Sequence, residues 1–377
     1  MEKIRIGVIF GGRSGEHEVS VRSAATVIKE IDKSRFDVVP VAIGKDGGWI
    51  NPKKSVEFFA KDIQSLFANE LEDFPSGQIM FSSDTYYRGL VDLSAPEGAD
   101  RLYPLDVVFP VLHGTFGEDG TIQGLFEMSG IPYVGCGVLA SSGAMDKVVM
   151  KTLFRDAGLP ICDYVWFLRD EWEANNNLVL SQVETKLGFP CFVKPANMGS
   201  SVGVTKANDA DELRRGIDLA AEFDSRIIVE EHLEMREIEC AVIGNNNPEA
   251  SKPGEYLVHD KSKKFLDYEE KYAATGNNEF VVPALVSPAL AEKIREMSVE
   301  AYRAVAASGL SRVDFFLRTD SGAILVNEVN TMPGLTDASG FPKMWAGSGK
   351  SFTDVISELV DLAFERAEDK ARNRTSL

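Results

Sequence analysis

The order in which apolar runs, glycine breaks and helical periodicity recur in the first third of the chain limits the fold most. Residues 4–10 read IRIGVIF, break at Gly11-Gly12, and pass into a helical pattern over about 16–31. Residues 36–43 form a second apolar run, and 106–112 (DVVFPVL) a third, followed by a loop and a helical stretch at 120–128. Strand, loop and helix in this order predict a parallel α/β domain. Ligands of such a domain gather at the carboxyl ends of its strands, here 11–18 and 113–119. Between about 53 and 101 the pattern is polar and irregular.

A chain of 377 residues exceeds what one core usually supports, so two or three domains are expected. The character changes near 143–158 and again near 229–231, which divides the chain into 1–142, 143–229 and 230–377. No run is long and apolar enough for a membrane span, and the first residues enter a strand without the apolar stretch of a signal peptide. Cys136, Cys162, Cys191 and Cys240 are scattered with no CxxC pair, predicting reduced, buried thiols in a cytoplasmic protein. With 58 acidic against 40 basic residues the formal charge is -18, which speaks against a nucleic-acid partner. A nucleotide needs only a local basic pocket and stays open.

The segment 311–334 raises a sharper question. SRVDFFL leads through TDSG into AILVNEVNTMPG. A three-residue loop at 320–322 makes these two strands a hairpin, with glycine at the positive-φ position. Asp314 then opposes Glu328, and Arg312 opposes Asn330. Because strand side chains alternate, these four share one face, while Val313, Phe315, Leu317 and Val329 meet a core. Two opposed carboxylates repel unless a cation lies between them. Hard oxygen donors of this kind suit Mg²⁺ shared with substrate phosphates. The other reading is an Arg312–Asp314–Glu328 ion-pair cluster on a solvated sheet face.

A phosphate site is offered by residues 191–204, CFVKPANMGSSVGV, which read strand, loop, strand. This is not a Walker loop, but Gly199 and Gly203 allow backbone N–H groups near an anion, with Ser200, Ser201 and Lys194 close by. An ordinary hairpin tip would look similar. Lys147 is a second candidate cation. Residues 226–233, RIIVEEHL, end a buried strand in Glu230 and Glu231, with a backbone edge fit for adenine and ribose.

Taken in order, the motifs IFGGRSGEHEVS, PVLHGTFGEDGTIQG, AMDK, FVKPANMGSSVGV, IIVEEHLEMREIECAV, DYEEKY, SRVDFF and NEVNTMPG resemble the D-alanine–D-alanine ligases of the ATP-grasp superfamily. The resemblance spans nearly the whole chain except about 53–101. It implies a parallel N-terminal α/β domain followed by two α+β units that clasp ATP. It also implies two Mg²⁺ ions, with Mn²⁺ able to substitute, held by Asp314, Glu328 and Asn330. Lys147, Lys194, Ser200 and Ser201 would contact ATP phosphates. Glu230, His232, Leu233, Glu237, Asn327 and Glu328 would complete the nucleotide site. Arg312 and the Gly334 backbone would stabilise an oxyanion. Glu16 would receive the first D-alanine's ammonium, though a carboxylate also suits a helix N-terminus for dipole reasons alone. His113 would lie near the first substrate's carboxylate; a satisfied turn histidine is the plainer alternative.

Ser200, Tyr272 and Glu16 would lock two loops over the substrates, excluding water. Lys271 is counted with the substrate residues, and Ser339 with the second substrate's carboxylate. Retention of Lys271 and Tyr272 favours an amine as second nucleophile, so D-alanine is the expected acceptor. Two departures from the family pattern, Leu266 and Gly340, leave D-serine open, because a missing side chain at 340 would enlarge the second site; a D-lactate ligase is a further variant. Another ATP-grasp carboxylate–amine ligase is a further alternative. The family also implies a homodimer through the N-terminal domain.

Overall fold

The computed structural model describes residues 2–67, 77–95, 102–258 and 278–374. Lys271, Tyr272 and Leu266 therefore lie outside the described residues.

Strands β1 (Ile4–Gly11), β2 (Phe36–Ile43), β3 (Trp49–Ile50) and β7 (Val107–Val111) form a sheet in the order β3-β2-β1-β7. β1 is parallel to both β2 and β7, with Ile6 opposite Val38 and Val107. Runs of Val, Ile and Phe buried on both faces are what a covered parallel sheet requires. At the end of β1 the backbone turns at Gly11, where φ is +89 and a Cβ would stand 2.4 Å from the Ile43 carbonyl. Only glycine fits there. The helix His17–Glu30 follows, one residue inside the predicted limits at each end. The region expected to be irregular holds three short strands, β4 (Ile79–Phe81), β5 (Gly89–Asp92) and β6 (Leu102–Pro104), paired antiparallel. They are too short to show an alternation against the surrounding polar sequence.

A second sheet has the order β10-β9-β11-β8, from β8 (Tyr164–Leu168), β9 (Cys191–Pro195), β10 (Thr205–Ala207) and β11 (Arg226–Glu231). Its own core joins Val193, Ile227 and Val229 to Leu213 and Ile217 of the helix Ala210–Phe223. β11 runs through the proposed boundary and ends at Glu231. A third sheet is built on β12 (Met235–Gly244), which pairs with β16 (Gly309–Arg318), and β16 with β17 (Ile324–Asn330). β13 (Glu249–Ala250), β14 (Gly254–Val258) and β15 (Asn278–Val281) complete it. Val313, Phe315, Leu317 and Val329 lie in its core, on the face opposite Arg312 and Asp314.

The first and last units are fused. One continuous core contains Phe10 and Phe109 from the parallel sheet, Trp345 from the helix Gly340–Gly347, and Val355 and Leu359 from the helix Phe352–Ala371. Arg366 adds a polar clasp: its guanidinium lies 4.2 Å over the Tyr133 ring and donates to the Tyr133 and Gly135 carbonyls and to Ser308. Trp345 is fully buried in this joint core. Trp345→Ala should cost about 3–5 kcal/mol. Urea unfolding followed by a probe in each unit should show both losing stability together; a loss confined to the C-terminal unit would contradict a shared core.

Candidate active site

One cleft lies between the three sheets, bordered by the loops after β1, β7 and β9, the end of β11, and the polar face of β12, β16 and β17. Glu16, His113, Lys147, Lys194, Ser200, Ser201, Glu230, His232, Leu233, Glu237, Arg312, Asp314, Asn327, Glu328, Asn330 and Gly334 all border it. Residues spread over more than 300 positions thus converge on one space. Ser339 does not border it: its hydroxyl is turned into a tight turn, 2.7 Å from Thr336 Oγ1, and is buried.

The hairpin pairs Arg312 with Asn330 and Asp314 with Glu328, as the alternation predicts. The turn differs. Arg318 and Ala323 close a four-residue loop, one longer than expected, with Gly322 at φ +70. The extra residue is taken up by a bulge between Asp314 and Phe315, after which Phe315 opposes Val326. Asn327 is thereby left over, and Asn327 and Glu328 both face the cleft although they are consecutive. Strict alternation would have put Asn327 in the core. Re-aiming a side chain next to a site is what bulges do.

Arg312 grips Asp314 with both arms, Nε to Oδ1 at 2.6 Å and Nη2 to Oδ2 at 2.5 Å. Asn330 Nδ2 donates to Asp314 Oδ2 at 3.0 Å. Glu239, opposite Asp314 on β12, adds a third carboxylate, itself buried and 3.4 Å from Arg312 Nε. Burial pushes the Asp314 carboxyl up to about 7; Arg312 pulls it down, and Glu239 and Glu328 push it further up. The guanidinium therefore offsets the crowded charge only in part. Among the described residues no three His, Cys, Asp or Glu are placed to hold a metal ion. A divalent cation at this rung would have two opposed carboxylates and the Asn330 amide, with phosphate or water for its remaining positions. That all-oxygen set fits a hard ion.

At the other wall, Lys147 opens the helix Lys147–Asp156, whose N-cap Asp146 accepts from Val148 and Val149 N–H. The Lys147 N–H donates to the Ala196 carbonyl, and its ammonium to the Met198 carbonyl at 2.7 Å. Burial lowers the Lys147 pKa, with Glu328 acting against it. The loop after β9 carries Ser200 and Ser201 at positive φ, 51 and 58, a costly conformation for residues with a Cβ. The Ser200 hydroxyl donates to Glu16 Oε1. A Cβ at Gly199 would lie 3.1 Å from the same oxygen, so the loop rests directly on Glu16.

Two expected roles change with the geometry. Both oxygens of Glu230 face lysines, Lys194 at 2.6 Å and Lys151 at 3.0 Å, so its carboxylate is committed before any adenine or ribose arrives. His113 is buried with both ring nitrogens engaged: Nδ1 with the Met332 carbonyl at 3.0 Å, and Nε2 with Ser23 Oγ at 3.0 Å. Burial also lowers its pKa, which fits a neutral ring donating to Met332 and accepting from Ser23. It stands as the satisfied histidine, tying β7's loop to the Gly334 loop. At Gly340 the space of an absent side chain is not open either: a Cβ there would meet Glu239 Oε2 at 2.5 Å and Phe280 at 2.8 Å. The expected enlargement is filled.

Glu118, Glu239 and Lys151 were missed by the sequence reading. Glu118 borders the cleft and accepts from the Gly114 N–H at 2.8 Å. Burial, with Glu16 nearby, pushes its carboxyl up to about 8. The GEDG motif containing Glu118 was the only signal available for it. Phe192, Met235 and Phe316 add apolar lining beside His232 and Leu233.

Family models of the D-ala D-ala ligase N-terminus and C-terminus match residues 5–136 and 153–361. The chain belongs to the D-alanine–D-alanine ligase family. It is 45% identical to the D-alanine--D-alanine ligase of Ruminiclostridium cellulolyticum over 379 aligned positions, covering 100% of this chain and 99% of that one. It is 43% identical to D-alanine--D-alanine ligase A of Escherichia coli, with 100% of both chains covered. Among solved structures, the VanG D-Ala:D-Ser ligase of Enterococcus faecalis superposes with a TM-score of 0.81 at 36% identity, covering 96% of this chain and 100% of that one. The ATP-grasp assignment and the α/β plus α+β class follow.

A carboxyl pushed up to about 8 binds its proton more tightly folded than unfolded. Its contribution to stability is therefore complete below about pH 4.5 and is lost as pH rises toward 8. Glu118→Gln keeps an acceptor for Gly114 and cannot ionise. Ligand-free Glu118→Gln should gain on the parent as pH rises, reaching about 1–3 kcal/mol by pH 8. Urea midpoints at pH 5 and pH 8 check this; a constant difference would refute it.

Proposed function

We propose that this protein joins two molecules of D-alanine into D-alanyl-D-alanine at the expense of ATP, for peptidoglycan precursor synthesis. The observation that carries this reading is the convergence of Lys147 and Lys194 with the Asp314–Glu328 rung and the Glu16–Ser200 contact in a single cleft. Family membership supports the same reaction.

In this mechanism the carboxylate of the first D-alanine attacks the γ-phosphate of ATP, giving an acyl phosphate and ADP. The amine of the second attacks the acyl carbon, and phosphate leaves from the tetrahedral intermediate. Such transfers need positioning and charge neutralisation more than a protein nucleophile. Glu16 receives the first ammonium, and Lys147, Lys194 and the N–H groups at 199–203 receive phosphate oxygens. Arg312 and the Gly334 N–H face the developing oxyanion, where fixed donors are most effective. Asp314, Glu328 and Asn330 would hold Mg²⁺, or Mn²⁺ in its place, which would supply charge neutralisation at the phosphates. The apolar slot of Phe192, Leu233 and Met235 takes the adenine, and Glu237 the ribose.

A D-serine acceptor is the second reading, favoured by the likeness to a D-Ala:D-Ser ligase. Glu239 and Phe280 filling the space at Gly340 weigh against a roomier second site. The protein is expected to work in the cytoplasm, where ATP is supplied; no described helix is long and apolar enough to cross a membrane. A homodimer is proposed, with Met128 and Leu139, exposed on the N-terminal unit, as candidates for its contact.

Phosphate release and product mass should show dipeptide with D-alanine and ATP, none with L-alanine, and at least about a thousandfold loss of kcat in Asp314→Ala. Preference for D-serine in competition would move the acceptor; no turnover with any D-amino acid would refute the substrate.

A further inference from the structure

Lys151 has a side-chain exposure of 1% and does not border the cleft. Lysines are almost never buried this fully unless paired. Its Nζ lies 3.0 Å from Glu230 Oε1 and 3.4 Å from Cys162 Sγ, while Lys194 Nζ lies 2.6 Å from Glu230 Oε2. One carboxylate thus stands between two ammonium groups. Burial pushes the Glu230 carboxyl up, yet Lys151 and Lys194 outweigh it and hold Glu230 well below the carboxylate range. The set carries a net charge of +1.

A single lysine would suffice to neutralise Glu230, and burying a second ammonium is costly. The surplus charge must therefore be useful where it is felt. Lys194, not Lys151, reaches the cleft. Without Lys151, an incoming anion would compete with a buried carboxylate for Lys194's only charge. Lys147, one turn earlier on the same helix face, is already donating to the Met198 carbonyl and feels Glu328 more than Glu230.

We propose that Lys151 is a positioning residue for nucleotide binding: by sharing the Glu230 carboxylate from beneath the cleft, it leaves the Lys194 ammonium available to a nucleotide polyphosphate. The inference rests on the ligase reading for the identity of the anion. It also gives Glu230 a different part, as the brace that fixes the direction of Lys194.

The test is calorimetric titration of ADP with Mg²⁺ into the full-length parent, Lys151→Met, Lys151→Arg, Glu230→Gln and the double variant, alongside KM for ATP and D-alanine. Lys151→Met should weaken ADP binding about tenfold or more and raise KM for ATP, with KM for D-alanine changed less than about twofold. Lys151→Arg should recover most of the affinity. In the Glu230→Gln background the Lys151→Met change should cost less than about threefold, because the shared charge is gone. Lys151→Arg keeps a readout where Lys151→Met does not fold, and the double variant removes the buried ammonium that Glu230→Gln alone would leave unpaired. A folded Lys151→Met with parental ADP affinity, or an equal loss in both backgrounds, would overturn the proposal. Failure of the parent to bind ADP would instead strike the ligase reading.

Discussion

Asp314 and Glu328 face each other across one rung of a ladder whose reverse side is core. Neither carboxylate can turn away without carrying Val313 or Val329 out of that core, so the repulsion between them is built into the fold. Glu239 sharpens it from the next strand. Arg312 and the Asn330 amide both hold Asp314, yet burial, with Glu239 and Glu328 beside it, still pushes the Asp314 carboxyl up to about 7. Hydrophobic burial on one face is what forces the polar groups together on the other. The cleft's acidity is a consequence of sheet packing.

The opposite wall is organised by a different economy. Lysines, glycine-rich backbone and a helix start converge on the loop after β9, in a unit with its own core. That unit meets the rest of the molecule across the cleft through contacts such as Ser200 with Glu16, whereas the first and last units share one core and the Arg366 clasp. Acidic and basic walls thus face each other across the space where a polyphosphate and its counter-ion would lie, while the helix that begins at Lys147 packs Met150 and Phe154 into the core behind β16 and β17.

Much of this was legible in the sequence because it follows from short periods. The parallel sheet, the helix after Gly11-Gly12 and the Asp314–Glu328 pairing need only alternation and turn chemistry. The bulge at Asn327 was not legible: the loop length and the register each miss by one, and the two errors cancel at the residues that matter. Glu239 and Lys151 were missed for a related reason. Each is defined by a partner far away in sequence, and nothing local distinguishes a buried ion from a solvated one. Gly340 was read as a gap because glycine removes atoms, but what refills the space comes from β12 and β15.

Glu230 and His113 show where reading residues by type stops short. Both border the cleft and both are chemically able to meet a substrate, yet Glu230 already stands between two ammonium groups and both His113 ring nitrogens are engaged by a carbonyl and a serine. A group in that condition acts by fixing a neighbour, because releasing its partners would leave buried polar atoms unpaired at a cost comparable to a lost hydrogen bond or more. Glu230 sets the direction of Lys194, and His113 ties the β7 loop to the loop that presents Gly334. Placing the residues that act depends on these ties, made between positions up to 219 residues apart in the chain.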